Sequence, residues 1–190
     1  MKIKRLLMIT GNPGKAEELK HLLNIDQMTI DYQDLSLVEV QSLDIEAIGY
    51  KKTQSAFQYS DVINSYDAIL TDDTALTCEA LNGLPGPLIK WFLKSIKTEG
   101  ILDLLKGKDR KTVATCLLSL GMIKDHFIYQ FRGDIDGELV EARGKSGFGW
   151  DKIFLPTGYQ FTYGEMDSVT KNEISHRALA VQNFRQWLIS

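Results

Sequence analysis

The chain has 190 residues, 44% hydrophobic and 25% charged, with a formal net charge of −3. That is one domain's length with enough apolar material for a substantial core, and it excludes disordered and fibrous classes. The near balance of 22 basic and 25 acidic side chains argues against a coat on a nucleic-acid polymer but leaves room for a local phosphate site.

Residues 5–10 are a short apolar run suited to a buried strand. Asn12 and Pro13 then suit the N-cap and first position of a helix over about 13–24, with Leu19, Leu22 and Leu23 as its buried stripe. A second strand is expected over 28–35 and a helix over 44–60. Ala68-Ile69-Leu70 reads as a short buried strand ending at Thr71-Asp72-Asp73-Thr74, and the stretch from Asn82 to Pro87 reads as a turn. Helices around 89–93 and 98–106 follow, then strands over 111–120 and 126–133 and a glycine-rich stretch at 143–151. A last helix over about 171–188 opens on a Thr170/Glu173 capping box and carries Ile174, Ala178, Val181, Phe184 and Leu188 as its stripe. Strands alternating with helices, plus a hairpin, predict a single α/β domain over 1–190 with a mixed sheet.

The charge is unevenly laid out: residues 1–20 carry net +3, residues 21–89 net −9 and residues 90–190 net +3. Carboxylates flanked by Lys and Arg suit a metal-bound polyanion, although a solvated acidic face has the same composition. Cys78 and Cys116 stand alone without CxxC spacing, so neither a disulfide framework nor a zinc site is expected. They read as buried, reduced thiols of a cytoplasmic protein. No apolar run reaches about 18 residues, so no membrane is expected as a partner.

Four stretches carry candidate chemistry. In Thr10-Gly11-Asn12-Pro13-Gly14-Lys15, a lysine stands at the third helical position, where the helix dipole disfavours a cation. A bound anion would remove that conflict, and the alternative is an ordinary strand-to-helix turn with a solvated lysine. The P-loop spacing is absent. Asp72 and Asp73 end an apolar strand, where ligands bind in open α/β sheets; one could hold Mg²⁺ and the other orient a water, or both could belong to an Asp-rich turn. The aromatics of Gly147-Phe148-Gly149-Trp150-Asp151 could stack on a base or anchor a loop. His176 and Arg177 could donate to one ligand edge or form a polar helix face. His21 and His126 read as surface residues.

Taken in order, these stretches, with Leu81-Asn-Gly-Leu-Pro-Gly-Pro87 and Ile89-Lys-Trp-Phe-Leu93, resemble the inosine triphosphate pyrophosphatase family, in its eukaryotic branch. The resemblance spans residues 10–177. It implies two lobes on a long bent mixed sheet flanked by helices, with a central active-site cleft, and it implies a homodimer. It implies Mg²⁺-dependent hydrolysis, with Mn²⁺ as an alternative ion, of the noncanonical purine nucleotides ITP, dITP and XTP to the monophosphate and pyrophosphate, which cleanses the nucleotide pool.

Position by position, it implies phosphate contacts from Thr10, Gly11, Asn12, Pro13, Gly14, Lys15, Lys51 (for which Lys52 could substitute) and Lys90. Glu39, Asp72 and Asp73 would hold the metal, with Asp73 and Lys15 catalytic. Phe148, Gly149, Trp150, Asp151, Lys171, His176 and Arg177 would form the base pocket. Asp72 stands where the eukaryotic branch usually has Glu, and Val38 where Pro is common. Arg177 and His176 would donate to the 6-oxo group of hypoxanthine or xanthine and leave adenine mismatched, at about 1–3 kcal/mol per buried group. The alternatives are a pyrophosphatase with another base preference and a nucleotide sensor without hydrolysis.

Overall fold

The computed structural model describes residues 3–25 and 27–190. Its centre is a seven-stranded mixed sheet in the order β2-β1-β3-β5-β6-β7, with β4 added to β3. The strands are β1 (Arg5–Ile9), β2 (Thr29–Gln33), β3 (Ala68–Cys78), β4 (Pro85–Gly86), β5 (Lys111–Met122), β6 (Ile128–Leu139) and β7 (Phe154–Pro156). β1 runs parallel to β2 and β3, and every later pairing is antiparallel.

Alternation explains why β1 and the start of β3 are apolar throughout. Leu6, Met8, Ala68 and Leu70 enter one cluster with Leu19, Leu23, Val181 and Phe184, whereas Leu7, Ile9 and Ile69 enter another with Ala56 and Ile63. Both faces of these strands are therefore covered by helices. One face takes α1 (Pro13–Leu22) and α6 (His176–Ile189), and the other takes α2 (Ile45–Ala56) and α3 (Ser60–Ile63). A third cluster lies around the far half of β3, where Leu76 and Cys78 meet Ala114, Leu139, Trp150 and Phe154, together with Ile101 and Leu102 of α4 (Ile89–Leu104). α4 bends at Lys97, whose φ is 59°, so the two expected helices are one interrupted element.

The sequence reading ends the third strand too early. β3 continues to Cys78, because β5 pairs with it along its whole length, from Ala68↔Met122 to Cys78↔Thr112. Asp72 and Asp73 therefore lie inside a strand rather than in a terminal turn. On its other edge, β3 pairs with β1 only as far as Ile9↔Thr71, and with β4 only from Leu76↔Gly86 onward. Among the described residues, 72–75 have no strand partner on that edge, and this gap opens the site.

The last helix is also two elements. α5 (Ser168–Ile174) is capped by Asp167, which accepts the Thr170 N–H at 2.7 Å, and α6 is capped by Ser175, which accepts the Ala178 N–H at 3.1 Å. The expected Thr170/Glu173 capping box is not used. Ser175 is extended (φ −75°, ψ 158°), which breaks the helix and turns His176 and Arg177 inward, where they are 2% and 1% exposed. Cys78 and Cys116 are free and buried, as read. Among the described residues, no helix is long and apolar enough to cross a membrane.

Candidate active site

A cleft of about 690 Å³ opens at the split edge of β3. Thr10, Gly11, Asn12, Pro13 and Lys15 line it from the β1–α1 turn, Glu39 from the segment after β2, and Lys52 from α2. Asp72, Asp73 and Thr74 line it from β3, Lys90 from α4, and Phe148, Gly149, Trp150, Asp151, His176 and Arg177 from the C-terminal part. Gly14, Lys51 and Lys171 do not line it.

The β1–α1 turn forms as its residues require. Asn12 is the N-cap and accepts the Lys15 N–H at 3.2 Å, and Pro13 takes the first helical position. Lys15 Nζ pairs with Asp72 Oδ1 and donates to the Asp72 carbonyl at 3.3 Å. The anion that offsets this cation at the helix start is thus the protein's own Asp72. Gly14 serves through close approach: a Cβ there would run into the Phe148 ring.

Asp72 is 2% exposed and closed in by cations. Its Oδ2 accepts Arg177 Nε at 2.8 Å and the Cys116 thiol at 3.3 Å, while Oδ1 faces Lys15. Burial would raise its pKa, but Arg177 and Lys15 outweigh burial and hold the carboxyl well below the usual range. In this structure the two Asp72 oxygens face the chain's own cations, Oδ2 toward Arg177 and Oδ1 toward Lys15.

The network runs on from Arg177. Its Nη1 bonds Glu18 Oε2, and Glu18 Oε1 bonds Lys171 Nζ at 2.6 Å. Lys171 in turn bonds Asp151 Oδ2 at 2.6 Å, and that oxygen also accepts the Phe148 N–H at 2.8 Å. Lys171 is 4% exposed and bonded to these two carboxylates, behind the residues that line the cleft. Burial, outweighing Lys171, keeps Asp151 above the usual carboxylate range. Glu18 was not singled out from the sequence. Its position three residues after Lys15, on the same helix face, was the available signal.

The opposite wall is less closed. Lys52 Nζ bonds Asp73 Oδ1 at 2.9 Å, Glu39 Oε1 at 3.1 Å and the Asp72 carbonyl at 3.3 Å. Burial disfavours its charge, yet Asp73 and Glu39 raise its pKa above the ordinary lysine value. Lys51 instead bonds Gln54 at 3.1 Å and is exposed: on α2 adjacent residues point about 100° apart, and of the two lysines it is Lys52, the substitute the sequence reading allowed, that turns to the cleft. Lys90 Nζ bonds Glu39 Oε2 at 3.0 Å. Burial opposes the charge on Glu39, but Lys52 and Lys90 leave its carboxyl below the usual range. Asp73 Oδ2 is buried and has no hydrogen-bond partner among the described residues.

The aromatic stretch divides. Trp150 is 6% exposed and packs on Phe154, Tyr163 and His176 as the floor of the wall. Phe148 is half-buried, with Lys171 Nζ 5.1 Å from its ring centre. His176 Nδ1 is buried without a partner among the described residues; burial, with Arg177 and Lys171, holds its pKa well below the usual histidine range, so the ring is neutral. Of the Arg177 nitrogens, Nε and Nη1 are taken, which leaves Nη2 outside these pairs.

Among the described residues, no three His, Cys, Asp or Glu side chains are grouped to cage an ion. The donor set does fit a hard cation that keeps most of its shell for water and phosphate, because Asp73 Oδ2 is unengaged and Glu39 stands nearby, joined to Asp73 through Lys52.

Fold and cleft together define an open mixed-sheet α/β protein whose cleft gathers lysines and carboxylates at the split edge of β3. The Ham1 family model matches residues 6–187, and the chain belongs to that family. It is 34% identical over 189 residues to the inosine triphosphate pyrophosphatase of Schizosaccharomyces pombe, covering 99% of this chain and 97% of that one. It is 40% identical over 180 residues to inosine triphosphate pyrophosphatase 2 of Trypanosoma cruzi, covering 93% and 88%. The solved HAM1 protein of Coxiella burnetii superposes with a TM-score of 0.79 at 26% identity, covering 97% and 98%.

Proposed function

We propose that this chain hydrolyses inosine triphosphate to the monophosphate and pyrophosphate, and with it dITP and XTP, removing such nucleotides from the pool. The observation that carries the reading is Asp73: one oxygen held by Lys52, the other buried and unpartnered, beside Glu39 and three lysines in one cleft. The names of the relatives support the substrate. Free, buried thiols agree with a cytoplasmic setting, and the family resemblance supports a homodimer.

A triphosphate carries about four negative charges, and water attacks it poorly until they are offset. Lys15, Lys52 and Lys90, with Thr10 and the turn at Gly11 and Asn12, would take the phosphates. Asp73 and Glu39 are the residues that would hold Mg²⁺ or Mn²⁺, which when bound would neutralise phosphate charge and polarise the reacting centre. Asp73 orients a water toward the α-phosphorus and takes its proton; the new P–O bond forms as the α–β anhydride bond breaks, and pyrophosphate leaves. Asp72 belongs to the support, fixing Lys15 and Arg177. At the other end, Phe148, Gly149, Trp150 and Asp151 face the base, with neutral His176 and the Nη2 group of Arg177 available to its polar edge.

Pyrophosphate release with Mg²⁺ across ITP, XTP, GTP, ATP, dUTP and dTTP tests the substrate. Preference for ITP and XTP is expected; preference for dUTP would favour another pyrophosphatase, and no release from any would favour a sensor. Asp73→Asn should lose turnover by about a hundredfold or more. Near-normal turnover in that variant would remove Asp73 from its role.

A further inference from the structure

Glu39 lies in segment 34–44, which has neither helix nor strand, so something else must fix its position. Its carboxylate bonds go to Lys52 and Lys90, the cations that a polyphosphate would compete for. The ties that remain come from α2 and the residues just after it. Ser55 Oγ accepts the Val38 N–H at 3.2 Å and donates to the Lys52 carbonyl at 2.7 Å. Tyr59 Oη donates to the Ser36 carbonyl at 2.8 Å, and Leu35 and Leu37 pack into the cluster that contains Ala56.

One hydroxyl, 8% exposed, thus joins the backbone before Glu39 to the backbone of Lys52. The next α2 residue, Thr53, is fully buried and its Oγ1 lies 2.8 Å from Thr71 Oγ1, next to Asp72 on β3. Close seating of α2 on the sheet is possible because residue 49 is glycine: a Cβ there would stand 2.5 Å from Ser119 Oγ. α2 is therefore registered against the strand that carries Asp73 and, through Ser55, against the segment that carries Glu39.

We infer that Ser55, backed by Tyr59, is a positioning residue: it sets where the Glu39 carboxylate stands relative to Asp73 and so sets the affinity for a metal–nucleotide complex. This rests on reading Glu39 and Asp73 as the metal-holding pair. A loosened segment must be ordered again at each binding event, so its loss weakens affinity while sparing the chemical step.

The test measures, by calorimetry, the affinity of the Mn²⁺ complex of α,β-methylene-ITP for wild type and for Ser55→Ala, Tyr59→Phe, Glu39→Gln and the double variant Ser55→Ala/Glu39→Gln. One neutral hydrogen bond corresponds to roughly a two- to tenfold loss, which is the expectation for Ser55→Ala, with a smaller loss for Tyr59→Phe. KM for ITP should rise in step while kcat changes by less than about twofold. Ser55→Thr, which keeps the hydroxyl, should restore affinity. In the Glu39→Gln background, Ser55→Ala should add nothing, because it acts through Glu39. An undiminished Ser55→Ala loss in that background overturns the inference. Wild-type affinity in Glu39→Gln overturns the underlying reading of Glu39 and the inference with it. If Ser55→Ala fails to fold, Tyr59→Phe, which removes only a hydroxyl, decides by the same comparison.

Discussion

One wall of the cleft is a closed chain of ion pairs, Lys15–Asp72–Arg177–Glu18–Lys171–Asp151, nearly all of it buried. The other wall uses the same residue types, Glu39, Lys52, Lys90 and Asp73, but leaves Glu39 and Lys90 in contact with solvent and one Asp73 oxygen unengaged. Charge placed in low dielectric must be paired, so most of the first wall's bonding capacity goes into framework, and what it offers a ligand is confined to its cleft-facing ends, such as Lys15 and the Nη2 group of Arg177. The second retains unspent charge and hydrogen-bonding capacity, which a ligand can use. Position in a motif does not separate the two roles: Asp72 and Asp73 are neighbours, and the pleat of β3 sends one to each wall.

The largest expected effect tests the closed wall. Arg177→Met leaves Asp72 and Glu18 buried without their shared partner and should destabilise the fold by about 3–5 kcal/mol in urea unfolding. A loss below about 1 kcal/mol would mean that the chain of pairs is not framework, and the contrast between the walls would collapse. The next tests the open wall. Lys52→Met should raise KM for ITP about tenfold or more, as befits a lost charged contact, while Lys51→Met should stay within about twofold. Equal effects from the two lysines would erase the assignment of the cleft-facing cation.

The smallest effect sharpens the comparison through pH. His176 is neutral in the folded chain, with its pKa held well below that of an unfolded histidine, about 6.5. Below that value the unfolded chain binds a proton that the folded chain does not, so stability is lost as pH falls. Between pH 7 and 5.5 the loss through this group should be about 1 kcal/mol by urea unfolding. His176→Gln should remove that part of the slope; an unchanged slope would show that the closed wall tolerates a charged imidazole.

Much of this was legible without coordinates. Leu6 to Ile9 and Ala68 to Leu70 read as buried strands because an unbroken apolar run suits a strand covered on both faces. Asn12 and Pro13 read as a helix start because capping is a local interaction. The end of β3 was not legible, since it is set by β5 and β4, whose pairing partners lie 34–54 residues away or across a turn. The break at Ser175 was missed because the apolar stripe runs on across it, while the caps that end one helix and start the next depend on single side chains.

The sequence by itself determined the inventory: an acidic middle between basic ends, an Asn-Pro helix start after a strand, two adjacent aspartates, and a family. Only the tertiary structure decided how that inventory is divided. It chose Lys52 over Lys51, withdrew Asp72 and Lys171 into ion pairs, brought in Glu18, and left Asp73 with an unengaged oxygen. The physical reason is that a charged side chain's role follows from its desolvation and its partners, and both come from elements far apart in the chain.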